Sequence, residues 1–260
     1  MYSYVADVWR CRYFWLSLVR MDLRARYRGS LLGMGWSLLQ PVLMTIILCI
    51  VFRTIFQQDL TFFAPFLFVG LTLWHFIIAA SQQGCHCFFQ GEAYIRQYPA
   101  PMAIYPLRTM LGAAFHFGIS MCLVLILGMW CQGGIPLLAL LSLVPSIFLI
   151  IVAGWSLSVL FGLANVRFRD TAHLSEVGFQ VLFYATPIIY PPNVLNCRRL
   201  GLVMDYNPLM PFLKLLREPI LYGQVPGITV YASAVGLVLL LSLTALAALR
   251  HEEQEIIFNL

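Results

Sequence analysis

The chain has 260 residues, 61% hydrophobic and only 10% charged, against about 25% charged in a soluble domain. No soluble core of this size buries so much apolar surface, and the apolar residues recur in blocks close to the ~20 that cross ~30 Å of hydrocarbon. The net charge of +5 comes from arginines beside those blocks, which excludes a nucleic-acid signature and points to a membrane surface.

Residues 3–29 carry Val5, Val8, Trp9, Leu16, Val19, Leu23 and Tyr27 on one side of a helical wheel. Asp7, Arg10, Met21 and Arg28 fall on the other, with Phe14 and Leu18 off the pattern. This predicts an amphipathic helix lying in the membrane interface; the alternative is a cytoplasmic helix packed on the bundle. Residues 1–33 hold six arginines and no clean apolar stretch, so no cleaved signal peptide is expected. Arg24, Arg26 and Arg28 cannot follow the apolar run at 42–52 into hydrocarbon at tolerable cost, and so mark where a membrane begins.

Six spans are predicted, at 34–56, 64–84, 110–130, 138–163, 173–190 and 227–249. The fifth is the weakest, being short and carrying His173, Glu176 and Gln180. With the N-terminus inside, eleven cationic residues fall on the cytoplasmic side and five outside, which satisfies the positive-inside bias and puts both termini in the cytoplasm.

Two connections are too long to be turns. In the cytoplasmic one, 85–109, Gly91 and Glu92 suit a helix start and Pro99 ends it, giving a short helix held off the membrane as a contact surface; the alternative is a solvated loop. In the outer one, 191–226, an apolar piece at 209–221 is too short to span and is interrupted by Lys214, Arg217 and Glu218. With a second piece at 200–204 it predicts re-entrant helices, a gate at the outer mouth of a path. Between the fourth and fifth spans, Arg167, Arg169 and Asp170 are expected to pair with each other or with lipid headgroups.

The chemistry that is missing narrows the class. The only lysine, Lys214, lies in no Gly-rich phosphate loop, and no Gly-x-Ser-x-Gly elbow or His-Glu-x-x-His helix occurs. Cys85-His86-Cys87 has no second pair to complete a zinc site, so no metal is expected. His75 and His116 lie inside spans, where an ionisable group is a functional candidate or a structural neutral histidine. The spans hold no acidic or basic residue near their centres, as an ion-coupled carrier requires. Such a chain takes its energy from a partner, or needs none.

Arg26-Tyr-Arg-Gly-Ser-Leu-Leu-Gly-Met-Gly-Trp36 followed by Leu39-Gln-Pro41 resembles the N-terminal motif of type-2 ABC exporter permeases, in the polysaccharide-export branch (O-antigen, teichoic acid, capsule). Asn165-Val-Arg-Phe-Arg-Asp170, Thr186-Pro-Ile-Ile-Tyr190, Asn207-Pro208 and Arg217-Glu-Pro219 are similar to that branch's later signatures, in the same order.

The resemblance implies an all-α integral membrane protein: six transmembrane helices, an interfacial helix at 1–33, a cytoplasmic coupling helix and outer gate helices. Residues 1–260 would be one permease domain, with spans one to five in 34–190, the gate segment at 191–226, and span six with a tail at 227–260. It implies a homodimer in the bacterial inner membrane that works with two copies of a separate P-loop ATPase to export a lipid-linked polysaccharide. ATP and Mg would be held by that partner, with no cofactor and no catalytic residue on this chain. Glu92, Ala93, Tyr94, Ile95, Arg96, Gln97 and Tyr98 would form the coupling helix. Arg24, Arg26 and Arg28 would attract the lipid diphosphate. Trp36, Trp74, Phe183, Tyr184 and Tyr190 would line the glycan path, or else be ordinary packing and belt aromatics. Leu209, Phe212, Leu213, Leu216 and Arg217 would form the outer gate. A drug-exporting permease, and more distantly a membrane-embedded transferase acting on lipid-linked sugars, are the alternatives.

Overall fold

Long apolar runs become helices because hydrocarbon offers no partner to a backbone N–H or C=O, so each must be satisfied within its own segment. The computed structural model describes residues 2–30, 33–56, 59–97, 100–190 and 207–252. Among them are α1 (Tyr2–Arg10), α2 (Arg12–Tyr27), α3 (Trp36–Phe56), α4 (Leu60–Cys85), α5 (Cys87–Gln97), α6 (Ile104–Gln132), α7 (Leu137–Arg167), α8 (Thr171–Ala185), α9 (Met210–Tyr222) and α10 (Ile228–Glu252). The described residues include no strand.

Four of these helices, α4, α6, α7 and α10, are long and apolar enough to cross a membrane. They outrun the predicted spans because polar residues such as Arg108, Asn165 and Arg167 continue the helices beyond their apolar runs. The apolar part of α3 is shorter, Leu38–Phe52. The fifth predicted span is not one helix: α8 stops after 15 residues, and the chain goes on through Thr186–Tyr190 without helical structure.

Helix α4 is the centre, packed against α3, α6, α7, α8 and α9. Lipid tails are as apolar as leucine, so helices in a membrane are held by close approach and by polar contacts between them. A Cβ added at Gly84 would lie 2.6 Å from Ser158 Cα, and one at Gly154 would lie 2.6 Å from the Phe76 ring, so α4 and α7 touch nearly backbone to backbone. Thr109 and Ser158 hydroxyls pair at 3.0 Å, Ser156 and Ser242 at 3.0 Å, and Ser146 and Tyr231 at 3.1 Å.

The bundle has two distinct ends. Cys87 and Phe88 of α5 pack on Gly162 near the end of α7, and Gly91 on Tyr105 at the start of α6. At this end Asn165, 3% exposed, donates to the Cys85 carbonyl (2.8 Å) and accepts from the Ala172 N–H (3.3 Å), clamping α4 to the start of α8. Arg167 pairs with Glu252 at 2.7 Å and Arg169 lies 5.9 Å from the Phe89 ring centre. These two arginines therefore tie α7 to α10 and α5. At the opposite end, Ile220 of α9 packs on Gly128 of α6, and Gly223 on Pro136 just ahead of α7.

The N-terminal segment is two helices, not one. It breaks at Cys11, whose carbonyl accepts from Phe14 and Trp15 N–H. The break resets the helical wheel, so Leu18, off the predicted stripe, is buried with Val19, while Trp9 is exposed. Asp22 accepts two hydrogen bonds from Arg108, docking α2 on α6.

Candidate functional site

Three features carry chemistry, beginning with α5. Its Cys87, Phe88, Gly91 and Ile95 are buried, while Gln90, Ala93, Arg96 and Gln97 are exposed. The helix starts at Cys87, earlier than the predicted start at Gly91. Gly91 is instead a mid-helix contact: an added Cβ would clash with the Tyr105 ring. Glu92 and Arg96 form an exposed i,i+4 pair at 2.9 Å, worth a few tenths of a kcal/mol to the helix, ~0.3–0.5. Tyr94 meets Phe14 edge-on at 5.9 Å. Tyr98 lies outside the described residues. Burial pushes the Cys87 thiol well above its ordinary pKa, which keeps it protonated and inert.

The second feature is a polar cavity of about 510 Å³ between α2, α3, α4 and α6. Helix α2 contributes Arg26 and Tyr27, and α3 contributes Trp36 and Gln40 at an open rim, Trp36 being 54% exposed. Helix α4 supplies Thr72, His75, Gln82 and Gln83, and α6 supplies His116 and Ser120. Arg26 Nη1 lies 3.0 Å from His116 Nε2, and Tyr27 Oη 3.0 Å from His116 Nδ1. Arginine can only donate, so Nε2 accepts, the ring is neutral, and its proton sits on Nδ1 facing the Tyr27 oxygen. The Tyr27 hydroxyl proton is then left to donate elsewhere. In the cavity wall, Thr72 Oγ1 and His75 Nε2 are buried with no hydrogen-bond partner among the described residues, a cost of about 1–3 kcal/mol each. Of the three arginines expected to attract a diphosphate, only Arg26 lines this cavity; Arg24 and Arg28 are exposed outside it.

The third feature is an aromatic cavity of about 500 Å³ between α3, α4 and α8. Trp74 packs against Phe183 at 5.3 Å and Phe179 at 6.0 Å, and Phe183 meets Tyr184 edge-on at 5.5 Å. The Tyr190 hydroxyl donates to the Tyr184 carbonyl at 2.9 Å. Of the five predicted path aromatics, Trp74, Phe183 and Tyr184 line this cavity, Tyr190 is tied to it through the Tyr184 carbonyl, and Trp36 lines the polar cavity. The two cavities share His75, Ile78 and Gln82 of α4 as a common wall. Gln82, Gln83 and Phe179 were not singled out from the sequence; Gln82-Gln83, paired at the end of an apolar run, were the available signal.

Residues 13–221 match the family model described as ABC-2 type transporter. The chain belongs to the ABC-2 type transporter family. It is 26% identical, over 97% of its length and 98% of the relative's, to the O-antigen export system permease protein RfbA of Myxococcus xanthus. It is also 24% identical to a protein of the same description from Klebsiella pneumoniae, over 80% of each chain. This is a multi-pass membrane permease family, and the apolar helices of the present chain agree with that.

In this ABC-2 chain three short, separate motifs meet at the end opposite α5. Arg217, 7% exposed, donates to the Pro187 carbonyl (2.7 Å) and, through Nη2, to those of Ile188 (3.1 Å) and Phe66 (3.4 Å). Its guanidinium also lies over the Phe66 ring. Asn207 donates to Thr186 Oγ1 at 2.9 Å and accepts from the Leu209 N–H at 2.9 Å. Leu209, Phe212, Leu213 and Leu216 are all buried. Leu209 and Leu213 close on Trp74 and Ile188 in a crevice too narrow for water. The expected gate residues are therefore seated in the bundle beside the aromatic cavity. The piece at 200–204 lies outside the described residues.

Proposed function

We propose that the chain is the transmembrane subunit of an ATP-driven exporter that moves a lipid-linked, O-antigen-like polysaccharide across the bacterial inner membrane. One observation carries the reading: similarity to permeases described as O-antigen exporters runs over nearly the whole chain. On this reading residues 1–260 act as one permease domain with six spans, α3 and α8 completing the four long ones, and both termini in the cytoplasm. Two copies pair, and each engages one cytoplasmic ATPase subunit, which holds ATP and its Mg²⁺. The exposed face of α5, with Glu92, Ala93, Arg96 and Gln97, enters a cleft of that subunit. Closure of the ATPases rocks α5, and its buried contacts with α6 and α7 pass the motion to the bundle. Trp74, Phe183, Tyr184 and Tyr190 offer ring faces to sugars, on which a polymer slides, and α9 parts at the outer end.

The test is genetic and biochemical. Cells lacking the chain should lose surface polysaccharide and accumulate the lipid-linked form inside, and the wild-type chain should restore export. The double substitution Glu92→Ala with Arg96→Ala removes an exposed pair of small energetic worth. It should leave the protein folded yet abolish both export and the permease-stimulated part of ATP hydrolysis. Surface polysaccharide that persists without the chain defeats the export reading; full activity of the double variant defeats the role given to α5.

A further inference from the structure

The aromatic cavity is lined by one carboxylate, that of Glu176, and by no arginine or lysine. Among the described residues the Glu176 side chain makes no ion pair and no hydrogen bond. It sits in the second turn of α8, ~7.5 Å along the axis from Thr171. Asp170, just ahead of Thr171, already holds the end of the helix where an acid gains most from the dipole, so that gain does not account for Glu176. A carboxylate in a membrane run is costly, and is kept where it faces a path. Glu176, Gln180 and Tyr184 follow at four-residue spacing and all line the cavity, a stripe rising ~6 Å per step. The α4 wall adds Gln82 and the Trp74 ring. A carboxylate only accepts hydrogen bonds, whereas amides and phenols also donate. Rings that carry hydroxyls suit such a wall: their O–H groups reach the carboxylate, and their apolar faces reach the aromatics. The same carboxylate repels an anion, and more strongly among apolar side chains than in water.

We propose that Glu176 is a charge filter: the aromatic cavity admits an uncharged glycan and turns back polymers that bear a phosphate or carboxylate in each repeat. This rests on the export reading above and narrows its substrate class. Ring stacking on Trp74 and Phe183 cannot tell one pyranose from another by charge, so discrimination falls to the one group that favours hydroxyls and penalises anions. Gln180 and Tyr184 continue the hydroxyl contacts along α8 without adding charge.

The test uses the full chain in phosphatidylcholine discs, with tritiated maltoheptaose as the uncharged probe and heptagalacturonate as an anionic one of equal length. The wild type should bind maltoheptaose saturably and heptagalacturonate about tenfold or more weakly. Glu176→Gln should move the two in opposite directions. Maltoheptaose should weaken about threefold, through loss of a charged acceptor, and heptagalacturonate should tighten about tenfold. Glu176→Lys should go further and prefer the anionic probe. A misfolded variant weakens both probes, so the crossing is not a by-product of damage. An unchanged ratio of the two affinities in both variants overturns the filter, and so does weakening of both probes, which would make Glu176 a structural support only. Equal binding of the two probes by the wild type, or binding of neither, overturns it as well. In each of these cases, loss of surface polysaccharide from cells lacking the chain keeps the export reading standing while the filter falls; its persistence brings down both.

Discussion

Arg217 shows how a charge is kept inside a membrane protein. Its guanidinium reaches carbonyls of two segments, Pro187–Ile188 after α8 and Phe66 in α4, while its flat face covers the Phe66 ring. From the sequence it is one cation among others in an outer connection. Its partners are backbone oxygens 29 to 151 residues away, which no side-chain pattern announces. Arg217→Leu leaves those carbonyls without their donor and should cost about 3 kcal/mol or more, read as a lower melting temperature in detergent. Arg217→Lys should recover little, because an ammonium lacks the planar fork that serves two segments at once. Gly70→Ala should reproduce part of the loss, since its methyl would lie 2.8 Å from Arg217 Nη2. Melting of all three at the wild-type temperature would show that the contact is incidental. Asn207 is a kindred case: its motif is visible as Asn-Pro, but its bond to Thr186 is not.

At the scale of elements, α5 was legible as a short helix between two membrane runs, but its start was not. Gly91 reads from sequence as a helix terminus because glycine is a poor interior residue. The structure puts it in the second turn, where the lack of a side chain admits the Tyr105 ring. Gly91→Ala should therefore push α5 off α6, lowering coupled ATP hydrolysis and export together while the bundle remains intact. Tyr105→Leu, which removes the obstructing ring, should restore much of what Gly91→Ala loses. Absence of rescue would mean that the glycine matters for helix flexibility instead of close packing. The N-terminal helices teach a related point. One amphipathic wheel drawn over 3–29 mixes two registers, because a break at Cys11 cannot be read from periodicity alone.

For the molecule as a whole, hydropathy located the membrane runs well because burial in lipid demands long apolar stretches, whatever the helices pack against. It misplaced the end of the fifth run's helix because an apolar stretch does not say whether its backbone is helical. Residues 186–190 are not helical, and their carbonyls at Pro187 and Ile188 are met by Arg217. The two-ended bundle that results makes a sharp prediction about orientation. α5 packs where α6 begins and α7 ends, and α9 packs where α6 ends and α7 begins, so the two lie at opposite faces of any membrane these helices cross. The arginine asymmetry puts the α5 end in the cytoplasm. In a background with Cys11, Cys122, Cys131 and Cys197 replaced by serine, Gln97→Cys and Gln224→Cys present thiols at exposed positions at the end of α5 and just beyond α9, respectively. A membrane-impermeant maleimide applied to spheroplasts should label Gln224→Cys at once and Gln97→Cys only after the membrane is permeabilised. Labelling of both from outside would break the two-ended arrangement. The reverse order would keep that arrangement but turn the chain over, taking α5 out of reach of any ATPase in the cytoplasm.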